Sequence, residues 1–427
     1  MQRWIRGLVA AAVVSAGLTG CSSASGGGGG TRPVIRVDRA AALADQPVHL
    51  RITGLSTYGT VTVRSEATAS DGSVWHGDAV FTADSHGTVD VDGQAPVSGT
   101  YHTADGMGLF WSMVPPKGDP DTTTFGRGLP QAGSPAYRVR LTAKEQGAPA
   151  ASRTLTRRWV TPGVRSRKLT LAHDHVVGEL FLPPEGAPRA APVLEFGGSE
   201  GGNSSVWDAA LLASRGHPAL ALAYFDEPGL PKELRDVPIE YFATAARLLA
   251  AQPSADPSSL VAIGGSRGSE AALLLAQHLP RLVHGAVLLS GSSIVNPGFP
   301  HGGTAWTLGG KPVAEGPVLL GHVSGPILDI VGLDDQVWAS PRYARSLRDE
   351  ARLDGDRYPV RVLDYAGAGH GVGTSPYTPP TTGTRPSANG TGLRLGGSRA
   401  ADAAASERAW PRILAYLSGE WDGGGKG

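Results

Sequence analysis

Two domains of different architecture are predicted for this chain of 427 residues: a β-sandwich over residues 33–165, then a mostly parallel α/β sheet covered by helices over residues 166–427. Three observations predict it. Residues 33–165 carry short alternating strands punctuated by turn residues, without helical periodicity. From Leu169 onward, near-continuous apolar strands alternate with helix-length segments, the pattern of parallel strands buried on both faces. Finally, Gly264-Gly265-Ser266-Arg267-Gly268 lies directly between the apolar run Leu260 to Ile263 and the helix-like stretch Ser269 to Ala276. That is the strand, sharp turn and helix of a nucleophile elbow, the mark of an α/β-hydrolase sheet.

The first elements in the chain set its address. Arg3 and Arg6 precede the apolar run Gly7 to Leu18, which ends at Leu18-Thr19-Gly20-Cys21. A basic start, a run too short to span a bilayer and small residues before a cleavage point describe an export signal over residues 1–20. Leu-x-Gly-Cys resembles a bacterial lipobox, which makes Cys21 the expected lipid-attachment residue and the membrane an expected partner. Cys21 is the only cysteine, so an intramolecular disulfide and a multi-cysteine metal site are excluded. Residues 21–32 read as a flexible Gly/Ser tether that holds the folded part off the membrane.

Within the sandwich, Val34 to Val37, Val48 to Ile52, Thr60 to Arg64, Val74 to His76, Tyr137 to Leu141 and Leu155 to Val160 read as strands. The apolar, aromatic stretch Met107 to Met113 is either sandwich core or part of the wall of an acyl pocket at the domain interface. Pro162-Gly163-Val164 is the expected linker.

The α/β half contains the G-x-S-x-G pattern twice. The second match, Gly197-Gly198-Ser199-Glu200-Gly201, follows the strand-like Pro192 to Phe196. In a hydrolase sheet the loop after an early strand supplies an oxyanion-hole N–H, and the nucleophile comes two strand-helix units later. Ser266 therefore takes the nucleophile's role. The backbone N–H groups of Arg267 and of Ser199 or its neighbour become the oxyanion donors. A serine hydroxyl is a weak nucleophile until a base removes its proton. The base is expected at His370, in Gly367-Ala368-Gly369-His370-Gly371 after the strand Val360 to Tyr365. The acid that orients it falls at the end of the strand Ile327 to Val331, in Gly332-Leu333-Asp334-Asp335. Asp335 is favoured, with Asp334 the alternative, because one of the pair can cap the helix starting near Ser340. The Gly-, Pro- and Thr-rich stretch Gly371 to Gly397 is either a mobile lid or a surface excursion.

Met107-Gly108-Leu109-Phe110-Trp111, the elbow, Gly332-Leu333-Asp334-Asp335-Gln336-Val337-Trp338 and Gly369-His370 together resemble the acyl-CoA thioesterase and bile acid-CoA:amino acid N-acyltransferase family. The resemblance runs from about residue 33 to the C-terminus. It implies an immunoglobulin-like domain before an α/β-hydrolase domain, and a Ser or Cys, Asp, His triad that cleaves acyl thioesters. The amino-acid-conjugating branch uses cysteine as nucleophile. Serine at 266 therefore implies transfer to water over transfer to an amine.

The chain holds 38 basic and 38 acidic residues, so no net charge and no basic run point to nucleic acid. The expected activity is that of a serine hydrolase on acyl thioesters or esters, with no metal or organic cofactor required. Alternatives are an exported carboxylesterase, an acyltransferase or peptidase on the same fold, and a non-catalytic surface-binding lipoprotein. Acyl-CoA is cytosolic whereas the signal points outward, so the family's substrate is a weaker expectation than its fold.

Overall fold

The computed structural model describes residues 32–126, 135–353, 357–387, 390 and 392–420. The expected signal, Cys21 and the expected tether up to residue 31 lie outside the described residues.

Alternation builds the first domain. In Thr60–Thr68 and Val74–Thr82 every second residue is buried, which leaves one apolar face per strand. A six-stranded sheet runs in the order Ala41–Leu43, Ala151–Arg158, Ala136–Glu145, Thr60–Thr68, Val74–Thr82, Ser98–Gly99. The three-stranded sheet of Val34–Val37, Leu50–Thr53 and Val89–Asp90 completes the sandwich. Val61, Val63, Trp75, Phe81, Val139 and Leu141 fill its core.

A turn over residues 161–164 then leads into the second sheet, whose first strand is Arg165–Leu169. Its eight strands run in the order Arg165–Leu169, Val177–Leu182, Ala219–Ala223, Val193–Phe196, Val261–Gly265, Ala286–Leu289, Ile327–Gly332, Val360–Tyr365. The first two pairings are antiparallel and the remaining five parallel. Parallel strands need covering on both faces, and Val193–Phe196, Ala219–Ala223 and Ala286–Leu289 are buried at every residue. This is an α/β-hydrolase sheet, and the C-terminal ends of its parallel strands gather the residues singled out above. Among the described residues no helix is long and apolar enough to cross a membrane.

The C-terminal helix Arg399–Leu417 ties the two domains together. Trp410 Nε1 donates to Asp45 Oδ2 at 2.9 Å, and the Arg399 guanidinium donates to the carbonyls of Trp111 at 3.2 Å and Met113 at 2.5 Å. The stretch Met107 to Met113 accordingly forms a short buried helix, Gly108–Trp111, wedged between the sandwich and this helix. Met107, Leu109, Phe110, Trp111 and Met113 belong to the hydrophobic core, as the sandwich-core reading expects, and line neither of the two cavities at the site. The sandwich reaches the large cavity through Thr124, Phe125 and Gly126 instead.

Candidate active site

Ser266 stands at the tip of a turn that only particular neighbours allow. Its φ is 50°, in the left-handed region that costs a non-glycine residue on the order of 1–3 kcal/mol. The surroundings hold it there. Its N–H donates to Leu289 O at 2.8 Å, and its carbonyl accepts from Ser269 N at 3.0 Å and Ser269 Oγ at 2.6 Å. The glycines of the pattern are steric requirements. A Cβ at Gly264 would lie 2.3 Å from Gly268 O, and one at Gly268 would lie 2.3 Å from Gly197 O. At Gly265, next to the serine, an added Cβ would make only ordinary contacts, at 4.0 Å to Gly197 Cα and Phe196 O.

Arg267, the next residue, turns its side chain away from the cavity. Its Nε lies 2.7 Å from Glu270 Oε1, and its Nη2 donates to the carbonyls of Asn296 at 3.0 Å and Pro297 at 2.8 Å. Glu270 also accepts from Trp306 Nε1 at 2.8 Å and Asn296 Nδ2 at 2.9 Å. Burial pushes the Glu270 carboxyl upward, and the Arg267 charge opposes it. The network pins the first turn of the elbow helix. An opposite-charge pair three residues apart in an otherwise Ala/Leu helix is the sequence signal for it.

The second Gly-Ser segment passes directly over the elbow. The strand Val193–Phe196 lies beside Val261–Gly265 in parallel register, and a Cβ on Gly198 would fall 2.6 Å from Ser266 Cβ. Gly198 N–H donates to Glu200 Oε2 at 3.0 Å, while Tyr224 Oη donates to the carbonyls of Gly197 at 3.0 Å and Gly198 at 3.2 Å. The Gly198 N–H is therefore committed. Among the described residues the backbone N–H groups of Ser199 and Arg267 have no protein acceptor.

Asp335 and His370 meet across two strand ends. Asp335 Oδ2 lies 2.7 Å from His370 Nδ1 and also accepts from Ser340 Oγ, while Oδ1 accepts from Val337 N at 2.8 Å. The Asp335 side chain is wholly buried and that of His370 is 9% exposed. Asp334 is exposed, and its N–H donates to Ala368 O at 2.8 Å. Of the two aspartates, Asp335 is the one that reaches the imidazole. Trp338 packs edge-on against the His370 ring at 5.9 Å and donates from Nε1 to Ser290 O at 3.0 Å.

Ser266, His370 and Ser199 line one cavity of about 130 Å³. A second cavity of about 630 Å³ adjoins it, with Glu200, Gly265, Leu289, Thr374, Arg385 and Leu395 among the residues common to both. Residues from Gly371 to Leu395 wall both cavities, and within this stretch Thr384–Pro386 pairs with Gly392–Arg394 as a hairpin. The stretch is tied to the sandwich, because Thr382 N at 3.1 Å and Gly383 N at 2.6 Å donate to Asp121 O. It is part of the site, not a surface excursion. Sequence reading missed Phe125, Glu200 and Arg385 as cavity residues because each comes from a segment without strand or helix periodicity.

Residues 45–171 match the N-terminal region of the acyl-CoA thioester hydrolase/BAAT family, and residues 237–301 and 311–421 match its C-terminal region. The chain belongs to that family. Mouse (Mus musculus) acyl-coenzyme A amino acid N-acyltransferase 1 is 30% identical over 413 residues, covering 88% of this chain and 95% of its own. Mouse acyl-coenzyme A thioesterase 6 is 29% identical over 408 residues, covering 88% and 94%. Human bile acid-CoA:amino acid N-acyltransferase is 29% identical over 410 residues, covering 88% and 95%. Among solved structures, a dienelactone hydrolase-like promiscuous phosphotriesterase from metagenomic libraries covers 60% of this chain and 98% of its own, at 23% identity and a TM-score of 0.41. By name, the family's relatives divide between hydrolysis and transfer to an amino acid.

Proposed function

We propose that the chain is a serine hydrolase of acyl thioesters or esters, working through Ser266, His370 and Asp335 and an acyl-enzyme intermediate. The observation that carries this reading is the buried 2.7 Å pair of Asp335 and His370, of which His370 lines the same small cavity as the left-handed Ser266. His370 Nε2 takes the Ser266 proton as Oγ attacks the acyl carbonyl, and the carbonyl electron pair moves onto oxygen between the Ser199 and Arg267 N–H groups. Collapse breaks the acyl–sulfur or acyl–oxygen bond, and the leaving group takes the proton from His370. Water then gives a proton to His370, attacks the acyl carbon and releases the acid, and the proton returns to Ser266. Asp335 holds the Nδ1 proton and stabilises the imidazolium throughout.

Thioesterase names among the relatives support the acyl-thioester class. Transfer to an amino group is the second reading, favoured by the N-acyltransferase relatives. Serine at 266, where the conjugating branch uses cysteine, favours water. A fluorophosphonate probe is expected to label the mature protein at Ser266, since fast reaction needs a working base and oxyanion hole. Absence of labelling on folded protein would point to a binding lipoprotein instead. A panel of p-nitrophenyl esters, acyl-CoA thioesters and peptide amides of matched acyl length, each with and without an amino acid as acceptor, then ranks hydrolysis against transfer by kcat/KM.

The address is a separate proposal. Leu18 to Cys21 support processing and lipidation at Cys21, leaving the domains outside the membrane on the tether. Membrane fractionation with the mature mass of wild type and Cys21→Ala tests it. An unmodified wild-type mass overturns it.

A further inference from the structure

A second carboxyl group, besides Asp335, supports the histidine loop, and the reaction proposed above makes no use of it. Asp402 lies in the first turn of the C-terminal helix Arg399–Leu417, whose N-cap Ser398 accepts from Ala401 N at 3.3 Å. Asp402 is wholly buried, and its Oδ1 accepts from the Gly369 N–H at 2.7 Å, one residue before His370. Glycines make this approach possible. A Cβ at Gly397 would lie 2.8 Å from Asp402 Oδ1 and 2.2 Å from Gly369 N, and one at Gly369 would lie 2.1 Å from Gly396 O. The loop is thus held at three successive points. Ala368 bridges to Gly397, Gly369 bonds to Asp402, and His370 N donates to Leu395 O at 2.9 Å.

We propose that Asp402 is a positioning residue of the site: its carboxyl fixes the Gly369 backbone and thereby the place from which His370 reaches Asp335. Only one of these three ties is made by a side chain, so only that one can be cut by a single substitution without rebuilding the loop. Burial, reinforced by the charge of Asp335, pushes the Asp402 carboxyl up to about 7, while the Gly369 N–H pulls the other way. Below that pH it holds the loop largely as a neutral acid and adds little second negative charge beside Asp335. Arg399, three residues earlier, bonds to the Trp111 and Met113 carbonyls, so the sandwich steadies the same turn of helix.

The inference rests on the triad reading, and the experiment separates the two. Asp402→Ala removes the acceptor and leaves the Gly369 N–H unpaired, whereas Asp402→Asn keeps an acceptor of nearly the same shape. With Ala, kcat is expected to fall roughly 10- to 100-fold with KM within about 3-fold of wild type, the signature of lost transition-state alignment. Asn is expected to recover kcat to within about 3-fold. The low-field imidazole proton of the His370–Asp335 bond, read by NMR without turnover, is expected to vanish with Ala and persist with Asn. If Ala does not fold, Asp402→Ser replaces it, because its shorter side chain is still polar but falls short of Gly369. A wild-type kcat and an unchanged low-field proton in Asp402→Ala or Asp402→Ser overturn the proposal, as do equal losses in these variants and Asn. The triad reading stands or falls separately, on labelling of the wild type at Ser266.

Discussion

The chain carries the same five-residue pattern at Gly197 to Gly201 and at Gly264 to Gly268, yet the two segments place their unusual backbone angles on different residues. In the first, the left-handed positions are Gly201 and the following Gly202, at φ of 67° and 64°, where glycine adopts them without steric cost. In the second, the left-handed residue is Ser266 itself, at φ 50°. On the proposed reading, one segment uses its turn to bring N–H groups close to a neighbour. The other uses it to aim a hydroxyl, and retains strain that a glycine there would relieve.

The largest effect that sharpens this comparison comes from Ser266. Ser266→Ala is expected to lower kcat by about 10⁵-fold or more and to abolish fluorophosphonate labelling. Ser266→Gly should be equally inactive yet more stable than Ser266→Ala by on the order of 1 kcal/mol in thermal or denaturant unfolding. If Gly confers no gain in stability, the strain assigned to the elbow is absent.

Next in size is the acid. Asp335→Asn offers His370 Nδ1 a donor in place of an acceptor and is expected to cost on the order of 10⁴-fold in kcat. Asp334→Asn, on an exposed side chain, should stay within about 3-fold in the same assay. The opposite ranking transfers the role to Asp334.

The contact between the two segments gives the third. Gly198→Ala would set a methyl 2.6 Å from Ser266 Cβ and 3.0 Å from Gly265 O, so the loop must move and carry the Ser199 N–H with it. Loss of one oxyanion donor predicts a fall of about 10²-fold in kcat. The change should appear in steady-state kinetics with little change in Tm. Gly265→Ala, at the glycine whose added Cβ would meet nothing closer than 4.0 Å, is the control and should keep kcat within about 3-fold.

The smallest is Ser199→Ala, expected to leave kcat within about 2-fold and labelling intact, since only the backbone of Ser199 is assigned a role. A large loss would reverse the two segments.

Much of this geometry was legible because it follows from the order of elements along the chain. Parallel strands place their C-terminal ends on one side, so a serine after one strand, an aspartate after another and a histidine after the next converge without any long-range information. The choice between Asp334 and Asp335 was not legible beyond a preference. Adjacent residues point in opposite directions, and which one faces inward depends on how Gly332 lets the chain turn against Gly369. Met107 to Met113 left two readings open because apolar, aromatic composition marks burial without saying what is buried against what. Asp402 was invisible for a related reason. A carboxylate four residues into a helix reads as an ordinary N-terminal charge until the loop that it meets is placed.

Most of the ties that frame the site run from main chain to main chain. Thr382 and Gly383 N–H reach Asp121 O, Leu395 N–H reaches Gly383 O, Gly396 N–H reaches Thr382 O, and His370 and Gln336 N–H reach Leu395 O. Side chains can change along such a path without altering it, so substitution is a poor way for this frame to diverge and insertion or deletion a damaging one. Homologous chains should therefore drift freely in residue type between 371 and 397 while holding the spacing from the histidine to Gly383, Gly396 and Gly397, whose added Cβ atoms would meet backbone within 2.2–2.8 Å. Loop length, more than residue identity, is the inherited quantity here.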